Sequence, residues 1–294
     1  MEKPRFPGAI AQGFGCLLLT AVSWGLNWPL VKFLLTQMPP FTMRAAAGVL
    51  GASATFAVAA WLKERLLPPA DQWRPLLLSS MLNFTSFMAA STLGMLWLSA
   101  SEAVIIAYTM PFWAVLMAWP VLGERPTPTR LAALVLGLSG VGVLMGTQPI
   151  QASWEKLPGA AIALAGAVMF ALGTVLSKRR PLALPPVVSV AWQVGLGSVP
   201  LALPAMFEHP RWDAISAPAA LSVVYLGLVP LSLAYLTWFR ALRVLPASTA
   251  ATAILMVPVV GVFGSAALIG EPLGTRQLVA LTLTLAGVGL AART

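Results

Sequence analysis

The side chains best suited to chemistry in this chain are uncharged. Ser23 and Asn27 stand four residues apart, Asn83 and Ser86 three apart, and Tyr108 lies one turn before Pro111; Ser232, Tyr235 and Trp238 follow Pro230. Residues three or four apart share one helix face. Each group falls inside a long apolar run, where an unpaired amide costs several kcal/mol. Asn27 and Asn83 must therefore face protein or a wet cavity. Interhelical hydrogen bonding, worth roughly 0.6 kcal/mol in membranes, explains a single asparagine as well as a binding site does. The clustering of Asn, Tyr and Trp favours a shared cavity lined by Trp24, Asn27, Asn83, Ser86, Tyr108, Tyr235 and Trp238. Trp24, Tyr108 and Trp238 would offer aromatic surface, and Asn27, Asn83 and Ser86 would bond an ammonium and a carboxylate. Such groups suit a net-neutral zwitterion with an apolar or aromatic side chain. They suit a nucleotide sugar poorly, because its phosphates call for buried Arg or Lys.

The carboxylates are placed differently. Glu2, Glu64, Asp71, Glu102, Glu124, Glu155, Glu208, Asp213 and Glu271 fall in loops or at the ends of apolar runs. Proton-coupled carriers usually keep an ionisable group in the pathway, so obligatory proton coupling is disfavoured. Glu102 is the one candidate coupling residue, and an interfacial role explains it too. No P-loop, H-E-x-x-H or G-x-S-x-G pattern is present. Cys16 and His209 are the sole residues of their types, so no disulfide, metal site or cofactor is expected. Gly140, Gly142 and Gly146 have the wrong spacing for a dinucleotide fingerprint; Gly142 and Gly146 are expected to let helices pack closely. An intramembrane enzyme would need a paired nucleophile and base, which the apolar runs lack.

These residues need elements to hold them, and composition says which. Hydrophobic residues make up 59% of the 294 and charged residues 9%, against about 25% charged in soluble domains. That is too little charge to cover a soluble surface, so the chain reads as an all-α integral membrane protein with the lipid bilayer as its surroundings. Apolar stretches of about 20 residues mark ten transmembrane helices: 10–34, 41–62, 75–97, 102–122, 129–147, 157–177, 186–206, 215–238, 247–269 and 275–292. Prolines punctuate the connections at Pro39-Pro40, Pro68-Pro69, Pro126, Pro128 and Pro185-Pro186. Pro29, Pro111, Pro200, Pro230 and Pro258 fall inside runs, where kinks around a cavity are one reading.

The net charge of +9 is scattered between the runs, which argues for a membrane-orientation signal and against a nucleic-acid partner. With the N-terminus in the cytoplasm, the inner segments carry Lys3, Arg5, Lys63, Arg65, Arg74, Arg125, Arg130, Lys178, Arg179, Arg180, Arg240, Arg243 and Arg293. The outer side keeps Lys32, Arg44, Lys156, Arg211 and Arg276. Thirteen against five is a strong positive-inside bias, and it places both termini in the cytoplasm of a cell (inner) membrane protein. Trp61, Trp73, Trp97, Trp119, Trp154 and Trp212 lie near run ends, the headgroup level.

The chain also repeats itself. Ala100-Ser101, Pro111, Gly123-Glu124 and Gly140-Val141-Gly142 recur with every spacing kept at Ala247-Ser248, Pro258, Gly270-Glu271 and Gly287-Val288-Gly289. At nearly the same offset Ala21-Val22, Leu26 and Lys32 fall on Ala167-Val168, Leu172 and Lys178. The expected units are residues 1–147 and 148–294. Each holds five runs, an odd number, so the second enters the membrane upside down. Inverted repeats recur in secondary transporters, with the solute between them near the midplane. A non-transporting scaffold or receptor would not need such a repeat.

The pattern Ala-Ser-x-Ala, Pro, Gly-Glu and Gly-Val-Gly, together with Trp238 to Leu242 and Leu245 to Ala250, resembles the ten-helix EamA-type branch of the drug/metabolite transporter superfamily. It further resembles the YddG-type exporters of aromatic and other neutral amino acids. The resemblance implies two inverted five-helix repeats around a central cavity. Helices 1, 3, 4, 6, 8 and 9 line that cavity, and helices 5 and 10 lie at the periphery. It also implies export of a small-molecule substrate, with organic cations or other metabolites as the alternative cargo, and no obligate protein partner.

Overall fold

The computed structural model describes residues 7–94, 96–98, 103, 106–145, 154–269, 274–291 and 293, and every regular element among them is helical. Six runs are long and apolar enough to cross a bilayer: Gly8–Gly25, Pro40–Trp61, Ala70–Gly94, Trp154–Arg179, Pro186–Ala205 and Ala217–Val244. Met110–Leu122, Pro128–Val143, Ala247–Gly261 and Gln277–Ala291 are shorter apolar helices. Leu18, Val49, Leu77, Val135, Leu203 and Leu278 stand exposed on the exterior. Water would penalise so wide an apolar surface, whereas lipid accepts it. Trp61, Trp119, Trp154 and Trp212 are exposed as well.

The chain runs through α1 (Pro7–Gly25), α2 (Asn27–Leu34), α3 (Pro40–Trp61), α4 (Trp73–Ser80), α5 (Ser86–Gly94), α6 (Met110–Leu122) and α7 (Pro128–Met145). It continues through α8 (Leu157–Arg179), α9 (Pro186–Ala205), α10 (Ala217–Leu228), α11 (Ala234–Val244), α12 (Ala247–Ala253), α13 (Met256–Ile269) and α14 (Thr275–Ala291). Prolines open α3 and α9, where a residue without an N–H forfeits no helical bond.

Several expected runs prove to be broken. Leu26 separates α1 from α2, a turn at residues 108–109 precedes α6, and Ile254 and Leu255 separate α12 from α13. Single π-helical turns, Met81–Thr85 and Val229–Leu233, join α4 to α5 and α10 to α11. The helix expected to end at residue 238 continues to Val244. Hydropathy is blind to such breaks because both flanks are apolar. Proline marks four of them: Pro29, Pro111 and Pro258 sit in the first turn of α2, α6 and α13, and Pro230 in the second π turn. Around the π turns, side chains take over carbonyls that lose their regular helical partners. Trp24 Nε1 donates to Pro230 O at 3.0 Å, Tyr235 Oη to Asn83 O at 2.8 Å, and Ser232 Oγ to Gly227 O at 2.8 Å.

The helices pair in a definite pattern. α7 lies along α14 and α3 along α9; α8 packs on α5 and α6, and α1 packs on α11 and α13. The α7–α14 contact is backbone to backbone: a Cβ added to Gly287 would stand 2.6 Å from Ala133 O and 2.7 Å from Gly137 N. Gly142, expected at such a contact, has nothing within 4 Å of its Cβ position, and Gly146 lies outside the described residues.

The Gly-Glu pair of the sequence repeat acquires a physical reason. Gly123 ends α6 in the left-handed region at φ 73°, its N–H bonding Trp119 O and that of Glu124 bonding Ala118 O. This is an αL closure, the Gly123 N–H reaching the carbonyl four residues back, and it favours glycine. The turn carries Glu124 to the start of α12, where its carboxylate accepts from Ala247 N (3.1 Å), Ser248 N (3.3 Å) and Ser248 Oγ (2.8 Å). The Glu of one motif thus caps the Ala-Ser of the other and answers the orphan N–H groups and positive end of that helix. Glu271 and Ala100-Ser101, the reciprocal pair, fall outside the described residues. Glu208 does the same for α3, accepting from Phe41 N (3.1 Å), Thr42 N (2.6 Å) and Thr42 Oγ1 (2.8 Å).

Candidate functional site

The breaks converge on one internal cavity of about 50 Å³. Trp24 and Asn27 reach it from the α1–α2 junction, Arg44 and Ala47 from α3, and Phe87 and Met88 from α5. Tyr108 and Met110 line it at the start of α6, Phe170 from α8, Leu226, Pro230 and Leu231 at the second π turn, Tyr235 from α11, and Ile254 at the last break. All the runs expected around the cavity contribute, and α3, which corresponds to the second run, joins them.

Four of the seven predicted lining residues, Trp24, Asn27, Tyr108 and Tyr235, meet here. The other three are placed elsewhere. Asn83 is fully buried, and its amide donates to Ser79 O and Ser79 Oγ at 3.1 Å and to Ser177 Oγ at 3.0 Å, tying the first π turn to α8. Ser86 Oγ bonds Leu82 O of its own chain segment at 2.7 Å. Trp238 is fully buried behind the cavity, its ring 6.0 Å from that of Trp24 and 6.2 Å from that of Phe170. The side-chain period that groups Asn83 with Ser86 is correct, but the helix is rotated so that the pair meets neighbouring backbone and α8. Asn83→Ala is therefore expected to lower the detergent melting temperature, with about 1 kcal/mol lost per hydrogen bond, while flux per folded molecule stays near wild type. An affinity loss of roughly threefold to tenfold at unchanged melting temperature would return Asn83 to the pathway. Glu102, the candidate coupling residue, lies outside the described residues.

Arg44 also lines the cavity, outside the seven residues that the sequence singles out. The charge pattern places Arg44 among the outer flanking residues, yet it is 8% exposed and its Nε has no hydrogen-bond partner. The signal was available, since Arg44 falls inside the 41–62 run and an ionisable group within a span marks a site by default. Attention to carboxylates alone hid it.

A second, larger space of about 1380 Å³ opens at one end of the bundle. Arg74, Arg130, Lys178, Arg179, Arg180 and Arg243 line it, with Asp71 and Glu124. Lys178 Nζ is engaged by Leu242 O, at 2.9 Å, and by Leu245 O. Vestibule and cavity are stacked along the same helices: Phe170 and Gly173 on α8, and Tyr235 and Phe239 on α11, are about one turn apart and face the two spaces respectively. At the junction the rings of Trp24, Phe170, Tyr235 and Trp238 form one cluster, with centroid separations from 5.5 to 6.3 Å.

The EamA-like transporter family matches residues 11–146 and, a second time, residues 157–293. The chain belongs to this family. As an EamA-like transporter it is a multi-pass membrane transport protein and not an enzyme. It is 28% identical over 292 residues to a "probable amino-acid metabolite efflux pump" of Salmonella typhimurium, covering 94% of this chain and 93% of that protein. It is 31% identical over 140 residues to the "aromatic amino acid exporter YddG" of Ancylobacter novellus, covering 47% and 48% of the two chains. A solved structure at 22% identity superposes with a TM-score of 0.83 over 97% of this chain and 96% of that one, a likeness of fold.

Proposed function

We propose that this EamA-like transporter exports small metabolites, neutral and aromatic amino acids foremost, by alternating access of two inverted five-helix repeats, residues 1–147 and 148–294. In this reading the protein lies in the inner membrane with both termini in the cytoplasm. The observation that carries it is the small cavity with polar and aromatic groups at the helix breaks, stacked on a far larger vestibule lined by the cations assigned to the cytoplasmic side. A narrow central site beneath a wide vestibule at one end of the bundle is what one state of an alternating-access cycle requires. The pairing pattern supports a two-fold relation between the repeats. Exchanging the two proposed repeats maps α3–α9 and α7–α14 onto themselves and maps the contacts of α8 with α5 and α6 onto those of α1 with α11 and α13. The two π turns also fall close to the offset of the sequence repeat. The names of the similar proteins support amino acids as cargo.

Among the described residues no carboxylate lines the central cavity, which supports transport down the solute gradient without obligatory proton exchange. The test is counterflow of labelled phenylalanine in proteoliposomes with and without a pH gradient. Equal fluxes are expected. Uphill accumulation driven by the pH gradient and abolished by Glu102→Gln would overturn the uncoupled mechanism and make Glu102 the coupling residue.

A further inference from the structure

Arg44 is expensive where it stands. It is buried in the apolar bundle, in the second turn of α3, near the helix end whose dipole repels a cation. Its Nε lacks a partner. Glu208 is engaged by the amides and hydroxyl at the start of the same helix, and among the described residues the cavity lining holds no carboxylate. Buried charges in folded proteins are paired or pay heavily, so a buried guanidinium that lines a cavity with its Nε unpartnered favours an anion there. The vestibule agrees with it: six cationic side chains against two carboxylates, one of them, Glu124, already capping α12, create a field that concentrates anions at the mouth.

We propose that Arg44 is the counter-ion of the transported solute's carboxylate, so that the carboxylate is the group the cavity requires while the ammonium of an amino acid is dispensable. The inference rests on the transport reading above and narrows its substrate class to small apolar carboxylates, amino acids included. A guanidinium offers a planar fork that matches a carboxylate in two parallel hydrogen bonds. The neutral groups beside it, Asn27 and Tyr108, offer an ammonium no charge at all. An organic cation would meet Arg44 as a like charge in a site of low dielectric.

The test is ligand binding by thermal stabilisation of the full chain in detergent, which needs no transport. The probes are phenylalanine, 3-phenylpropionate and phenylalaninamide, which carry both charged groups, the carboxylate alone and the ammonium alone. Ligands that bind the folded state raise its melting temperature. Phenylalanine and 3-phenylpropionate are expected to stabilise the wild type and phenylalaninamide to have no effect. Arg44→Met, which keeps length and apolar bulk, should weaken carboxylate binding roughly ten- to a hundredfold, the size of a lost charge-assisted bond. Arg44→Lys should restore part of it. Stabilisation by phenylalaninamide equal to that by 3-phenylpropionate, no stabilisation by either carboxylate, or undiminished binding in Arg44→Met would each overturn the proposal. Should Arg44→Met not be recovered folded, the order of the three probes on the wild type decides alone. Carboxylate binding in that order without any flux in proteoliposomes would refute the transport reading and leave the Arg44 site standing.

Discussion

Gly287→Val is expected to unseat α14 from α7 and to remove most of the folded protein that can be extracted from membranes. The reason is geometric. The first atom of any side chain at this position would stand 2.6 Å from Ala133 O and 2.7 Å from Gly137 N. Both are backbone atoms, so no rotamer change relieves the clash and one helix must move. Overpacking a well-fitted contact costs about 1–3 kcal/mol and sometimes more. In lipid, no hydrophobic drive compensates, because helix association depends on close packing itself. Gly142→Val, one helix across and facing open space, is the control and should purify and melt like wild type. Equal melting temperatures for both variants would show that the α7–α14 approach does not govern stability.

The second large effect is expected from Trp24→Ala. The indole ring centroid lies 5.5 Å from that of Tyr235, 6.0 Å from Trp238 and 6.3 Å from Phe170, and its N–H holds Pro230 O at 3.0 Å. Truncating an aromatic ring in such a setting costs about 3–5 kcal/mol and leaves the carbonyl of the second π turn unsatisfied. Flux per molecule should fall more than about tenfold, because one wall of the cavity and the packing of its roof are lost together. Trp24→Phe separates the two contributions. It keeps the ring contacts and removes only the donor, so its melting temperature should fall by the cost of one unsatisfied buried carbonyl, about 1–3 kcal/mol, with most flux retained. Wild-type flux in Trp24→Ala would show that the ring cluster is filler and that the solute passes elsewhere.

Neither effect could have been argued from the sequence, although much around them could. Apolar length, the proline pairs and the shortage of charge led directly to a multi-helix membrane protein. Gly123-Glu124 and Ala247-Ser248 were legible as a repeated motif because glycine closure and carboxylate capping depend on a few adjacent residues. The breaks at Pro29, Pro111 and Pro258 were legible as prolines but not as helix starts, since a proline in a first turn and one in a helix interior are the same letter.

What the sequence determined by itself was the class of the protein, the placing of its apolar runs, a repeated motif, and a pool of polar residues obliged to avoid lipid. What only the tertiary structure decided was which members of that pool meet. Trp24, Asn27, Tyr108 and Tyr235 came together with Arg44 around the cavity, while Asn83 turned to Ser79 and Ser177 and Trp238 sank behind the ring cluster. The physical reason is the solvent. A helix in water shows its buried face by the contrast between polar and apolar residues, but a helix in lipid is apolar toward the bilayer and toward its neighbours alike. Its rotation about its own axis is then set by small residues, freed carbonyls and side-chain fit against partners far away in the chain, and these exist only once the bundle has formed.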